Sequence, residues 1–436
     1  MKRCLIIGSG ISGLTAASIL SSKKIQVTLL ESAPRFGGRT YSFKDSESGE
    51  TIDNGQHILM GCYKETLAFL NLIGAGNNFI FQKNLNIDFL TDDKKKYSLR
   101  SSLIPYPLNL LFAILNYNAL NVVEKFRFIG LIIKLPFISE RSLENLSVLD
   151  WLEKENQNEN IIRSFWEILC VGALNTNLKK ASAKMFYNIL IKIFFNGNFA
   201  STIILPKYGL SESIISPALS FIKKNDGKVF SSETIKELIV KNRTVIGVKS
   251  DNNIYENFDF VISAIPLHAL EKIISKELLN IKTIFSYSTI LNTHIWLKEN
   301  PVEANFYGLI NSPLHWIFNK GSHLNLVISD ADEISKKTNE EIIETALNEL
   351  EKFTSAKKEN LTGYKIIREK RATFIPDNNV LYNRPKSKTA IKNLFLAGDW
   401  TDTGLPATIE SAAMSGRIAA ECVLSRINND GINNSN

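Results

Sequence analysis

Two clusters of residues have types and spacings that carry chemistry. The first is Gly8-Ser-Gly10-Ile-Ser-Gly13, with Glu31 closing the next apolar run. Glycines at this spacing let backbone N–H groups approach a pyrophosphate, and an acid in that place accepts from both hydroxyls of a ribose. The chemistry is the grip on a dinucleotide. The second cluster is Asp53-Asn-Gly-Gln-His57, followed by Gly61 and Tyr63. A histidine is a general acid near neutral pH, which makes His57 a candidate proton donor.

The elements around these clusters must position them. Residues 3–7 read as a short buried strand, Leu14 to Leu20 as a helix, and Gln26 to Glu31 as a second strand. In that context Gly8 permits the tight turn. Gly10 admits the pyrophosphate, and Gly13 lets the helix lie close to the strand. The opening residues Ile11 and Ser12 belong to a helix N-terminus, with free N–H groups and a partial positive charge. Near the other end, Asn393 to Asp399 reads as an apolar strand ending in Gly398-Asp399. Gly404-Leu-Pro406-Ala407-Thr408 then opens a helix to about Leu424, with Pro406 in its first turn. Between them, a helix to about Lys224, strands around Thr234-Ile235 and over 245–248, and a buried strand over 258–264 complete the α/β pattern.

Glu31-Ser-Ala-Pro-Arg35-Phe-Gly37-Gly38-Arg39 resembles the ExxxRxGGR signature of the flavin-dependent amine oxidase and carotene desaturase superfamily. The resemblance implies FAD as the cofactor. It sets Arg35, Gly38 and Arg39 along the FAD phosphates, the backbone of Ile235 at the adenine, and Asp399 at the ribityl–phosphate part. Pro406, Ala407 and Thr408 would face the flavin pyrimidine edge, and Asn54, Gly55 and His57 would lie near the ring.

Longer segments resemble the hydroxysqualene dehydroxylase family. They are Asp53 to Tyr63, Phe165-Trp-Glu-Ile-Leu-Cys-Val-Gly-Ala-Leu-Asn-Thr176, Ala181-Ser-Ala183, His315-Trp-Ile-Phe-Asn-Lys320 and Ala397 to Glu410. That resemblance implies an α/β chain with a discontinuous Rossmann-type FAD-binding domain (1–63, 205–269 and 368–426). The substrate domain would take 64–204 and 270–367, with a helical, membrane-facing region over 101–200. It implies reduction of hydroxysqualene, a C30 allylic alcohol, to squalene, within isoprenoid or hopanoid synthesis. Such a reaction needs a dry aromatic wall that tolerates an allylic cation. Trp316, Phe318 and Tyr307 are the candidates. The implied partners are the C30 isoprenoid, a bacterial membrane surface and upstream squalene-pathway synthases. Carotenoid desaturases are the alternative, sharing fold and cofactor but running oxidation. A non-catalytic FAD-binding lipid carrier is a second alternative. Amine oxidase activity is disfavoured, because no lysine occurs between Lys282 and Lys298, where many of those enzymes place one facing the flavin.

Composition sets outer bounds. With 44% hydrophobic and 22% charged residues in 436, the chain is neither disordered, fibrous nor a polytopic membrane protein. A net charge of +7 and a pI near 9.0 favour anionic lipid headgroups over nucleic acid, since no run of five basic residues occurs. Cys4, Cys62, Cys170 and Cys422 form no CxxC pair, which argues against disulfides and a metal site and for a reducing compartment. The uncharged stretch after Lys2-Arg3 imitates a signal peptide, but Gly8, Gly10 and Gly13 interrupt it.

From Ser101 to Val123 no charge occurs. Pro105, Pro107 and four asparagines argue against a span, so a lid or a patch dipping into one leaflet is expected. Residues 182–196 fit a greasy channel wall or a plain core helix equally. The expected location is cytoplasmic, at the inner face of the cell membrane. The polar stretch 427–436 reads as disordered.

Overall fold

Five short parallel strands lie side by side in the computed structural model, which describes residues 1–433. Their order is Lys228–Phe230, Gln26–Leu30, Arg3–Ile7, Phe260–Ser263 and Leu394–Leu396. The central three are apolar runs because a parallel sheet is covered on both faces. One face carries helices Ile11–Ser22, Ser216–Lys224 and Ile409–Asn433. The other carries a three-stranded antiparallel sheet, Ile235–Lys241, Thr244–Ser250 and Ile254–Tyr255. The strands come from three separated stretches of chain, so the nucleotide sheet closes only when distant segments meet.

A second, seven-stranded sheet stands beside it. Its order is Leu361–Phe374, Tyr287–Leu297, Leu324–Ile328, Trp316–Asn319, Phe306–Leu309, Asn86–Leu90 and Lys96–Arg100. Helix Asn339–Phe353 covers its back face. Phe306, Phe318 and Val327 line its front face with Ile203. Two expected domain edges fall inside strands. Leu361–Phe374 crosses residue 368 unbroken, because it pairs with Tyr287–Leu297 along its length. Ile203–Pro206 crosses residue 205 and pairs with Leu59–Met60 and Phe79–Phe81. A hydrogen-bonded ladder does not end at a change in composition.

The helical region packs around Phe128, Trp151, Trp166 and Phe186, with Phe128 stacked on Trp166 at 4.5 Å. Helices Leu108–Leu115 and Val122–Lys134 bury one face each. Their other faces leave Leu108, Phe112, Val122, Val123, Phe126 and Ile133 exposed. Among the described residues, no helix is long and apolar enough to cross a membrane.

The C-terminal helix departs from expectation at both ends. It begins at Ile409, so Pro406 lies in the turn before it rather than in its first turn. It continues to Asn433, through most of the stretch expected to be disordered, while 434–436 lie outside the described residues. Once a helix is nucleated and docked, each added residue gains a hydrogen bond for little further ordering.

Candidate active site

A cavity of about 610 Å³ runs from the glycine turn to the front of the large sheet. Its nucleotide end is built by backbone. Gly8 takes φ +99°, a conformation that other residues adopt only under strain. A Cβ on Gly13 would overlap the carbonyl oxygen of Gly8 and stand 3.2 Å from Ala264 Cβ, so only glycine lets the helix sit this close. Gly10 differs: a Cβ there would meet no protein atom within 4 Å, because it faces the cavity. Helix Ile11–Ser22 starts at Gly10 with no side-chain cap and no acid in its first turn. Its first N–H groups therefore remain available to an anion. Gly38 closes over this point, where an added Cβ would lie 3.2 Å from Gly10 Cα. Glu31 also lines the cavity, its carboxylate fixed by Ser9 N–H at 2.9 Å, Ser9 Oγ at 2.6 Å and Ala33 N–H at 2.9 Å. An open cradle of N–H groups with an acid at its edge fits the pyrophosphate and ribose of FAD.

Arg39 and Asp399 line the middle of the cavity and pair with each other at 2.7 Å. Asp399 holds the Arg39 guanidinium above its ordinary pKa range. Gly398, Ala407 and Thr408 complete this wall. Arg384 organises it from behind. Its buried guanidinium donates to the carbonyls of Leu405 at 2.6 Å, Asp399 at 2.7 Å, Trp400 at 3.4 Å and Thr401. Burial pushes its pKa down to about 10, which still leaves it charged at neutral pH.

Asn54, Gly55 and His57 lie together on the wall nearest the large sheet. Asp53, just before them, is structural: it accepts from Ser42 Oγ at 2.7 Å, Leu210 N–H at 2.8 Å and Lys320 Nζ at 3.3 Å. Lys320 also reaches Gln56 Oε1 at 3.3 Å, tying the polar loop to the strand turn. His57 Nδ1 sits 3.1 Å from the Gly55 carbonyl, so Nδ1 carries the proton and donates. In the neutral ring Nε2 is then an acceptor. Burial lowers the His57 pKa, favouring this neutral form. His57 therefore gives a proton to a ligand only as the imidazolium. Trp316 and Phe318 form the aromatic side, each about 6 Å from Phe306, with Gly172 beneath the indole.

Five expected site residues lie off the cavity wall. Gly13 lies behind it, against Gly8 and Ala264. Arg35 is exposed and stacks over Tyr41 at 4.0 Å, outside the glycine cradle. Ile235 packs into the core between the two nucleotide-side sheets, with Ser250 as its ladder partner. Pro406 is buried in the turn that Arg384 holds. Tyr307 packs on the back of the large sheet with the Leu347 and Leu350 cluster. Its neighbours Phe306 and Gly308 take the front, as strand alternation requires. Trp316 and Phe318 share that front face.

The cavity also gathers residues that motif reading missed: Tyr287, Asn292, Glu369 and Arg371 from two adjacent strands. Glu369 accepts from Asn54 Nδ2 at 3.3 Å. One signal was present for Asn292, an amide side chain inside the strand-like stretch Thr289-Ile-Leu-Asn-Thr. Polar groups in buried strands need a reason.

Comparison with known proteins follows the same lines. The chain is 27% identical over 426 residues to hydroxysqualene dehydroxylase of Zymomonas mobilis, covering 96% of this chain and 98% of that one. It is 23% identical to the 15-cis-phytoene desaturase of Arabidopsis thaliana, covering 97% of this chain and 80% of that one. An oxidoreductase from Methanosarcina mazei has a similar fold, with a TM-score of 0.77 at 18% identity, covering 96% of this chain and 100% of that one. The model of the flavin containing amine oxidoreductases matches residues 11–424. The chain is an FAD-dependent oxidoreductase, and it belongs to the flavin containing amine oxidoreductase family.

Proposed function

We propose that the protein reduces hydroxysqualene to squalene. FAD, which the glycine cradle with Glu31, Arg39 and Asp399 would hold, would supply in its reduced form a hydride for the allylic carbon; the C–O bond would break, a C–H bond would form, and the hydroxyl would leave with one proton as water. The observation that carries this reading is the likeness to hydroxysqualene dehydroxylase over nearly the whole of both chains. The cavity supports it, because the nucleotide cradle continues into a compartment with a polar corner (Asn54, Gly55, His57) and an aromatic side (Trp316, Phe318).

The chain's own residues have three tasks. The polar corner receives the hydroxyl. His57, in its charged form, returns a proton to it, a service of about 10²–10⁴ in rate. Trp316 and Phe318 keep water away and present ring faces to positive charge that develops on the allyl group.

A C30 hydrocarbon travels in a bilayer, since each buried methylene favours lipid by about 0.8 kcal/mol. The protein accordingly acts at the inner face of the membrane. The exposed apolar faces of helices Leu108–Leu115 and Val122–Lys134 support this, with Phe137 at the end of the second helix. Lys125 and Arg127 border them with positive charge for anionic headgroups, while Lys134 is paired with Glu155 at 3.1 Å. This surface adjoins the loop before Ile203 through Asn109–Asn198.

The test is anaerobic. The FAD-loaded protein is reduced and mixed with hydroxysqualene in detergent, and flavin absorbance is followed while the lipid is extracted. Rapid reoxidation with squalene formed is the expected outcome. No reoxidation, with bleaching of the oxidised protein by phytoene-like polyenes, would assign it to the desaturases.

A further inference from the structure

Asn292 is 1% exposed and lines the cavity from strand Tyr287–Leu297. Its amide orientation is fixed. Oδ1 accepts from the Gln56 N–H at 3.2 Å and from Asn325 Nδ2 at 3.3 Å. Among the described residues its Nδ2 has no hydrogen-bond partner. A buried donor without a partner is costly, and native structures rarely keep one without use. This donor stands beside Gly55, where an added Cβ would lie 3.4 Å from Asn292 Nδ2 and 3.9 Å from His57 Cε1. The Asn292 amide and the His57 ring thus flank one point of the cavity wall. Neutral His57 presents an acceptor there, and Asn292 presents a donor.

We propose that Asn292 is the residue that selects an alcohol over a hydrocarbon: its Nδ2 donates to the substrate hydroxyl oxygen, while the hydroxyl bonds to His57 Nε2 as donor when the ring is neutral and as acceptor when it is the imidazolium that turns over. This rests on the reading of the protein as a hydroxysqualene reductase and adds to it the group that recognises the leaving oxygen. An alcohol has one donor and at least one acceptor, and the pair matches both. A hydrocarbon in the same place leaves Nδ2 buried and unpaired. Sites built to bond a hydroxyl reject analogues lacking it for this reason.

The experiment measures binding, not turnover. Oxidised, FAD-loaded protein is titrated with hydroxysqualene and with squalene in the same detergent, and the flavin absorbance change is read. Wild type is expected to bind the alcohol at least about tenfold more tightly than the hydrocarbon. Asn292→Leu is expected to bind both within about twofold, with FAD content unchanged. Asn292→Asp keeps the acceptor for Gln56 N–H but removes the donor, so it serves if the leucine variant does not fold. It too is expected to lose the preference.

Either folded variant keeping the wild-type preference would overturn the proposal. So would a shifted flavin spectrum or weakened FAD binding in the lipid-free variants with the preference intact, which would place the amide on the cofactor. Wild type binding both lipids equally would sink the role of Asn292 while leaving the reductase reading in place. Wild type binding neither would sink that reading, and this one with it.

Discussion

Arg384→Met tests whether the turn that faces the cofactor is held from behind. The guanidinium bonds the carbonyls of Asp399, Trp400, Thr401 and Leu405, all in the connection between strand Leu394–Leu396 and the C-terminal helix. Two opposed effects decide the outcome. Orphaning the Leu405 and Asp399 carbonyls, bonded at 2.6 and 2.7 Å, costs about 1–3 kcal/mol each. Removing the buried charge returns about 3 kcal/mol, the equivalent of a pKa lowered from 12.5 to about 10. Global stability therefore changes by no more than about 3 kcal/mol. Cofactor binding has no such compensation. Re-ordering even two residues of a released turn costs about 2–4 kcal/mol, or roughly 30- to 700-fold in FAD affinity. The assay reconstitutes apoprotein with FAD and follows quenching of flavin fluorescence, with urea unfolding of the apoprotein in parallel. A variant that folds and binds FAD within about threefold of wild type would refute the reasoning. Arg384→Lys should fall between the two, since one ammonium cannot span the carbonyls a planar fork reaches.

Other perturbations have defined outcomes. In the proposed role His57 gives a proton only when charged, and burial holds its pKa below 6.5, so kcat/KM should fall as pH rises through that lowered value. His57→Ala should flatten this limb and lower turnover about 10²–10⁴-fold without loss of FAD; an unaltered pH profile would count against the donor role. His315 is half-buried, its pKa pushed down to about 4 by lost solvation, and its Nδ1 accepts from the Ser329 N–H at 3.2 Å. The unfolded chain binds this proton more readily, so about 3 kcal/mol of stability, complete above pH 6.5, should be lost as pH falls toward 4. Urea midpoints across that range, for wild type and His315→Gln, measure it. Gly416→Ala should destabilise by about 1–3 kcal/mol or more, because the added Cβ would overlap Ser12 O and stand 2.9 Å from Thr15 Cβ. Gly130→Ala, with nothing within 4 Å, should instead stabilise by about 0.5–1 kcal/mol. Phe126 and Phe137, 66% and 85% exposed, should be silent in the fold but active at the bilayer. Changing both to Ser should move the protein from anionic vesicles to the supernatant in a sedimentation assay, with FAD content unchanged.

The nucleotide half was legible in the residues because its determinants are local. Gly8, Gly10, Gly13 and Glu31 do their work within one strand–turn–helix–strand unit, so their spacing alone carries the geometry. The Gly398-Asp399 turn was legible for the same reason. What failed were statements that depend on which way a side chain points. Tyr307 sits one residue from the front-facing Phe306, and strand alternation sends it to the back of the sheet. Arg35 shares a signature with Arg39, yet the chain turns between them, and only Arg39 meets Asp399.

Sequence by itself determined that a dinucleotide cradle forms, because backbone conformation and helix ends are properties of neighbouring residues. It also determined that an uncharged stretch after Ser101 would be helical and greasy. The tertiary structure alone decided what surrounds the reacting end. Asn292, Glu369 and Arg371 reach the cavity only because two strands far from the glycine turn are laid against it. Arg384 holds the cofactor turn through carbonyls that have no side-chain signature. The lowered pKa of His57 follows from burial by distant segments. Contacts between segments distant in the chain leave no spacing to read, so their chemistry exists only once the sheets have met.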